Sequence, residues 1–486
     1  MTSGHGPPAF VAAELETARP PEEIPAAALP LDTYDGGVPV AVIGSRAVSS
    51  VVADPLSRVI WRIGAPAVGS NLLMIVFATA DAYWVGTRLG PAALAAVATS
   101  LFWIWLVVSI AEMVGIGLTA VAARRHGERR PEEAARVVGE AMFYAVALGS
   151  VVAVSGVALL PRLLSALHNP PDVQALGARY LGTYLMGMPL IFGFFAVDAA
   201  FRASGDTRTP MLILGSSVVM TLILDPVLIL GRFGVPALGI AGAAVATIAT
   251  RGGAFLLGSA LLVRRRMARF GPVRWASIAA ITRVGLPTAV TGVAFSAIYV
   301  AVTRTVTQFG TPALAAMGLG FRVESWMYMV GVGFGAAAAA IVGQNLGARQ
   351  PERAARAGWI TVGYGTLVSL IAVVIELTIP ARMAGVFTSD PAVILETAHY
   401  LRIAALAQLF TAAEIVLEGA LGGAGDTLPP MIMSTSISAL RIPLAAWAAS
   451  QWGTTGVWTV ISVTAAGRGI GMAALWRFGK WRHRTV

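Results

Sequence analysis

The sequence contains no cysteine, and this absence excludes several kinds of chemistry. A chain without cysteine has no disulfide, no thiol nucleophile and no thiolate metal ligand. Its five histidines are scattered through 486 residues without the spacing of a metal site. The sequence therefore argues against a metalloenzyme or a cysteine-dependent enzyme, and we assign no catalytic residue, metal ligand or organic cofactor.

Charged residues are also scarce, at 12% of the chain against 56% hydrophobic residues. That leaves too little polar surface to cover a water-soluble globule of this size. Apolar runs of about 20 residues, the length that crosses a bilayer as a helix, recur along almost the whole chain. The composition predicts an all-α, multi-pass membrane protein with twelve spans.

The twelve spans divide into two lobes of six, which we place at residues 56–270 and 271–478. Residues 1–55 are rich in proline, alanine and glutamate and lack the apolar segment of a signal peptide. We expect a disordered cytoplasmic N-terminal tail over 1–55 and a second cytoplasmic tail over 479–486.

The arginines predict the orientation. They cluster in the loops after the second, sixth and eighth spans and after the twelfth, whereas the alternate loops mostly carry one each. Because positive charge stays on the cytoplasmic side, both termini should face the cytoplasm from the inner or plasma membrane. Arginines at span ends do not form a nucleic-acid surface, so the expected partners of a monomer are the bilayer and a small molecule.

An internal repeat relates the two lobes. Three segments recur at a constant shift of 220 positions: residues 90–96 at 310–316, 127–136 at 347–356, and Gly-Asp-Thr 205–207 at 425–427. The shift covers six spans, an even number, so corresponding helices run in the same direction as parallel repeats. In the Gly-Asp-Thr loops, we expect glycine to permit a tight turn and Asp or Thr to cap the next helix.

Several short motifs occur in a specific order: Pro66, Asp81 with Gly86, the run 89–96, the run 202–207, and Asp225-Pro226. In these residues the chain resembles the multidrug and toxic compound extrusion (MATE) transporters, and their DinF-like branch in particular, over about residues 57–478. The resemblance implies two lobes around a central cleft that opens alternately to each side. It also implies export of organic cations, drugs or amphipathic compounds in exchange for H⁺ or Na⁺.

Three aspartates lie inside predicted spans of the first lobe: Asp81, Asp198 and Asp225. An ionised aspartate at mid-membrane costs on the order of 2.5 to 3.5 kcal/mol, so each needs an explanation. One explanation is a hydrogen bond to a neighbouring helix and no further role. The other is proton carriage, because desolvation and nearby negative charge both favour the protonated carboxyl group.

Our hypothesis is that Asp81 and Asp225 form the coupling pair, with Asp198 as a third member and Thr247 as a hydrogen-bonding partner. The resemblance places Asp81, Asp225 and Thr247 at the coupling site of the branch. It also places Pro66 where the first helix is thought to bend as that site changes protonation.

The sequence departs from the branch at three positions around this site. Phe77 replaces an expected tyrosine, Thr221 replaces an expected asparagine, and Asp198 stands where asparagine is usual. The repeat mates of Asp81 and Asp225 are Ala301 and Ala445, so the coupling chemistry is predicted in the first lobe only.

In the second lobe, Glu414 and Glu418 lie one turn apart on the tenth span. They either attract a cationic substrate or have a structural role. A flippase for lipid-linked precursors or polysaccharides, of the same superfamily, would instead need a basic cavity; here acids lie within the spans and arginines mainly at their ends. A membrane-embedded transferase or a non-transporting receptor are the remaining alternatives.

Overall fold

The computed structural model describes residues 50–165 and 170–484, and these residues form helices joined by short loops. In the first lobe the fourth span is divided into two helices. The spans of this lobe are Leu56–Leu89, Pro91–Gly127, Pro131–Ser165, Pro171–Met186 with Met188–Ala203, Arg208–Leu230 and Ile240–Arg264.

The second lobe repeats this order, with the tenth span divided and a short helix before it. Its spans are Trp275–Thr307, Thr311–Gly347, Pro351–Thr378, Pro391–Ala404 with Ala407–Ala424, and Leu428–Phe478, which holds the last two. The short helix is Pro380–Gly385, and a 3₁₀ turn, Trp481–His483, follows the last span.

Twelve spans are confirmed over the described residues. Nine helices there are long and apolar enough to cross a membrane, and two pairs bent by 52° and 59° raise the number to eleven. The 51-residue helix Leu428–Phe478 is two spans, since Trp452 and Gly453 have non-helical backbone angles at a kink.

The backbone preserves the repeat at its turns. Residues with positive φ recur at the same shift of 220: Gly90 and Gly310 (86° each), Gly205 (87°) and Gly425 (80°), and Arg129 (58°) and Arg349 (59°). A left-handed conformation is costly for arginine, so its presence at both mates shows that the duplication fixed the path of the chain.

The two Gly-Asp-Thr loops use their aspartates differently. Asp206 caps the fifth span, as expected, because its Oδ1 accepts a hydrogen bond from the Thr209 backbone N–H at 3.0 Å. It also pairs with Arg265 at 2.9 Å. Asp426 instead accepts from Arg484 at 2.9 Å, which ties the segment after the last span to this loop.

Large apolar side chains cover much of the outer surface. Val154, Leu212 and Val463 are 74%, 67% and 63% exposed. Exposure on this scale suits hydrocarbon as the surrounding medium and agrees with the apolar composition.

Glycines bring the two lobes into backbone contact. A Cβ added at Gly285 on the seventh span would lie 1.9 Å from the Met113 carbonyl oxygen on the second span. One added at Gly117 would lie 2.0 Å from the Ile281 carbonyl oxygen. Between membrane helices there is no hydrophobic driving force, so close packing of small residues holds the lobes together.

The boundary of the N-terminal tail lies earlier than predicted. Residues 50–53 are helical, Val51 is fully buried, and Asp54 pairs with Arg62 at 3.2 Å. Arg353 from the second lobe also donates to the Asp54 backbone carbonyl. The prediction of disorder up to residue 55 is therefore wrong at its end, because this segment packs on the helices, and residues 1–49 lie outside the described residues.

Replacing Gly285 with leucine should open this contact between the lobes. Gly285→Leu forces a side chain into the Met113 backbone, and overpacking of this kind typically costs about 1–3 kcal/mol. We expect a lower thermal unfolding temperature in detergent. Gly363→Leu is the control, since nothing lies within 4 Å of a Cβ there. Equal unfolding temperatures for the two variants would contradict the assignment.

Candidate coupling site and central cleft

Asp81 and Asp225 lie together in the interior of the first lobe. Asp81 on the first span is 7% exposed and Asp225 on the fifth span is fully buried. The two carboxylates are in electrostatic contact. Within the described residues, neither oxygen of Asp225 nor Oδ1 of Asp81 has a hydrogen-bond partner. The structure thus brings the predicted pair into electrostatic contact and leaves three of its four oxygens without a partner among the described residues.

Two tyrosines of the fourth span complete this site. Tyr180 hydrogen-bonds Asp81 and is in electrostatic contact with Asp225. Tyr184 lies one turn later, and the two rings stack with centroids 6.3 Å apart. Sequence reasoning missed both residues, although their spacing places the two hydroxyl groups on one helix face.

The threonines near the pair form bonds of their own. The Thr247 hydroxyl is buried and donates to the Ala243 carbonyl at 3.2 Å, within its own helix. Thr221 donates to Thr250 at 2.9 Å and joins the fifth and sixth spans. The proposed bond between Thr247 and the carboxylate pair is not formed in this conformation, and its role in coupling stays a prediction.

Asp198, the predicted third member, is paired elsewhere. Its carboxylate lies 2.8 Å from Arg202, one turn along the same helix. The structure therefore gives Asp198 a partner on its own helix. Its participation in coupling stays a prediction.

A buried arginine lies beside this site and was not predicted. Arg251 sits midway along the sixth span and is 5% exposed. Its guanidinium lies over the rings of Phe77 and Phe194, at 5.0 and 4.9 Å, and Nη2 is 2.9 Å from the Met74 sulfur. Arg251 is an exception among arginines that lie mainly at span ends, because aromatic faces and a thioether can hold the cation inside the lobe.

Pro66 lies within a helix that remains continuous from Leu56 to Leu89. Proline removes one backbone hydrogen bond and weakens the helix at this point. One turn later, the Asn71 side chain donates to the Met329 carbonyl of the eighth span at 3.2 Å, a direct contact between lobes. The bend at Pro66 stays a prediction.

The corresponding interior of the second lobe is ion-paired. Glu414 lies 3.4 Å from Arg468 and accepts from the Ser434 hydroxyl at 3.4 Å. Arg441, also buried, donates to the Thr464 hydroxyl at 2.8 Å. Both arginines lie within spans and not at their ends, and Arg468 neutralises Glu414.

Glu418 lies near residues of both lobes. Tyr328 on the eighth span is in electrostatic contact with Glu418 and with Glu112 on the second span. Glu112 is exposed although it lies in mid-span. The three residues therefore line an accessible acidic surface between the lobes, where the resemblance places the central cleft.

Comparison with known proteins decides the family. The sequence profile of the MatE family matches residues 66–227 and 287–447, one segment in each lobe. The chain belongs to the MatE family. The match begins at Pro66 and includes both Asp81 and Asp225.

Relatives in the MatE family align with most of the chain. A protein of Thermotoga maritima described as probable multidrug resistance protein NorM is 32% identical over 87% of this chain and 93% of its own length. A NorM-type protein of Deinococcus radiodurans is 29% identical over 88% and 95%. An FAD transporter of Shewanella oneidensis is 26% identical over 85% of this chain and 93% of its own length.

Solved MatE structures have the same fold. The Vibrio cholerae MATE transporter VcmN superposes with a TM-score of 0.81 at 21% identity, covering 90% of this chain and all of that one. A transporter of the MOP superfamily from Pyrococcus furiosus superposes with 0.82 at 21% identity, covering 90% and 99%. The prediction of twelve helices in two lobes is confirmed.

Removing the charge of Glu414 should destabilise the second lobe. Glu414→Gln leaves Arg468, whose side chain is only 11% exposed, without its carboxylate partner, and breaking a buried pair typically costs about 3–5 kcal/mol. We expect a clear fall in thermal unfolding temperature, and recovery in the double variant Glu414→Gln/Arg468→Met. Glu418→Gln, one turn away and without an ion pair, is the control and should unfold near the wild-type temperature. A similar fall in both single variants would disprove this assignment.

Proposed function

We propose that this protein exports organic cations, drugs or amphipathic metabolites in exchange for protons, by alternating access. Asp81 and Asp225 carry the proton, and the acidic surface of Glu112 and Glu418 attracts the substrate. The observation behind the proposal is two buried carboxylates in electrostatic contact, three of whose four oxygens have no hydrogen-bond partner among the described residues.

The chemistry of this pair supports a proton cycle. Two ionised carboxylates side by side in an apolar interior are costly, and the low dielectric medium strengthens their repulsion. Binding a proton removes that cost, and releasing it restores the repulsion. The free energy of the pair therefore depends on the proton supply of the side to which the cleft opens.

A proton suits this pair better than sodium. Sodium needs several oxygen ligands arranged around it, whereas a proton satisfies one orphaned oxygen at a time. The tyrosine hydroxyl of Tyr180 offers a further partner when the carboxylate changes its state.

The first span connects a change of protonation at Asp81 to the contact between the lobes. Asp81 and Pro66 lie on this helix, and Asn71 between them contacts the eighth span. A change of partner at Asp81 that bends the helix at Pro66 would shift this contact between the lobes. The two lobes then reopen on the other side, with arginine-rich loops and termini in the cytoplasm.

A second candidate function is export of anionic amphiphiles. It is favoured by Arg251, whose Nη1 is buried without a hydrogen-bond partner among the described residues. The name of the Shewanella oneidensis relative, an FAD transporter, agrees with an anionic cargo in this family. Glu112 and Glu418 oppose it, because they make the cleft acidic.

The test is transport of a cationic dye into inverted vesicles under separately imposed proton and sodium gradients. We expect the wild type to respond to the proton gradient, and Asp81→Asn and Asp225→Asn to lose that response while folding and inserting normally. The amide cannot bind and release a proton, so exchange is uncoupled.

Asp172→Asn, an exposed aspartate in the first turn of the fourth span, is the matched control and should transport as the wild type does. Full proton-driven transport in Asp81→Asn would contradict the coupling assignment. A dye flux driven by sodium alone would replace the proton with sodium, and accumulation of an anionic dye alone would favour the second candidate.

A further inference from the structure

A groove on the flank of the second lobe lies apart from both the coupling pair and the central cleft. It has a volume of about 400 Å³ and runs between the eighth and ninth spans beneath the segment that follows Pro380–Gly385. Its walls are largely apolar and include Trp326, Ile371 and Phe387. A groove of this volume can hold a drug-sized molecule.

The lining contains one carboxylate, Glu376 of the ninth span. Its side chain is 1% exposed, and its Oε2 has no hydrogen-bond partner in the described chain. Its Oε1 is 3.5 Å from the Gln408 side-chain nitrogen, a long hydrogen bond. Glu324, bonded to Tyr400 at 3.1 Å, is in electrostatic contact with it and adds negative charge.

Without a positive partner, the ionised carboxylate of Glu376 is energetically unfavourable in this interior. Unpaired charge in an apolar interior is strongly unfavourable, and within the described residues Glu376 forms no ion pair, whereas Glu414 is neutralised by Arg468. The groove therefore combines an apolar wall with an orphaned acid at its base. That combination is complementary to a molecule with an apolar body and one positive charge.

We propose that this groove is a second binding site, which takes amphipathic organic monocations from the surrounding bilayer. The cationic centre lies against Glu376, and the aromatic or aliphatic body packs on Trp326, Ile371 and Phe387. These three side chains are 44%, 61% and 45% exposed, so the groove is open towards the lipid. Trp326 can add a cation–π contact.

The position of the groove along the membrane normal is consistent with entry of the ligand from the bilayer. The groove lies in the half of the membrane opposite Arg349, Arg353 and Arg356, because these arginines are at the start of the ninth span and Glu376 is near its far end. Amphipathic cations accumulate at bilayer interfaces, where their charge stays near water. The site neither uses nor requires Asp81, Asp225 or the cleft residue Glu418.

The experiment reports occupancy of the groove alone. The sequence has no cysteine, so one cysteine introduced at Val386, an 80% exposed residue of the lining, can carry an environment-sensitive fluorophore. The labelled full-length protein in lipid nanodiscs is titrated with tetraphenylphosphonium. Tetraphenylborate, of nearly the same shape and opposite charge, is titrated in parallel.

We expect saturable binding of the cation, and at least tenfold weaker binding in Glu376→Gln, which corresponds to about 1.4 kcal/mol or more. Ile371→Trp fills the groove from the lipid side without disturbing the fold and should weaken binding similarly. Leu370→Trp is the matched control, because Leu370 is exposed on the same helix but does not line the groove. It should bind as the wild type does.

Equal affinity of the wild type, Glu376→Gln and Ile371→Trp would overturn the proposal. So would equal binding of tetraphenylborate, which would indicate an apolar slot for lipid chains. The site should persist in the Asp81→Asn/Asp225→Asn variant, in which proton-driven transport is expected to be lost. Loss of groove binding in that variant would also overturn it, whereas loss of transport alone bears only on the coupling pair.

Discussion

Backbone contact through glycine is the constraint on which the arrangement of the lobes depends. In hydrocarbon, helices gain nothing from burying apolar side chains against one another, so association rests on close packing and polar contacts. Gly117 and Gly285 let the second and seventh spans meet at their backbones. A transport cycle that separates the lobes must break these contacts and form others of similar strength. The polar contact from Asn71 to the Met329 carbonyl crosses the same boundary and is well placed to alternate.

The Asp81 and Asp225 pair of the first lobe and Glu414 of the second lobe differ in whether a positive partner neutralises them. In the first, Asp81 and Asp225 keep oxygens without partners; in the second, Arg468 neutralises Glu414. A paired charge is held in place by its partner, whereas an orphaned one responds to any proton that reaches it. Glu414 is thus fixed in place, whereas Glu376 of the same lobe, like the Asp81 and Asp225 pair, keeps an unpartnered oxygen among the described residues. Arg251, whose guanidinium lies over two aromatic rings, adds a buried positive charge to the first lobe.

The number of spans and the duplication were predictable because both produce regular patterns in the sequence. Apolar runs predicted the twelve spans, and the shift of 220 predicted turns such as Gly205 and Gly425, whose φ values match. Adjacent Asp81 and Asp225 followed from the family motifs. Tyr180 and Arg251 were missed because a tyrosine or arginine within a helix does not reveal its neighbours. The buried position of Val51 was missed because a composition biased towards disorder says nothing about where packing begins.

Arg129 and Arg349 have matching backbone conformations, whereas Asp81 and Asp225 have no acidic mates in the second half. This difference indicates how the chain evolved after duplication. The turns that guide the chain were kept in both copies, down to a left-handed arginine, while Asp81 and Asp225 have only Ala301 and Ala445 as mates. The halves are consequently no longer interchangeable parts. A chain assembled from two copies of the second half would retain the loop signals and would have no counterpart of the Asp81 and Asp225 pair.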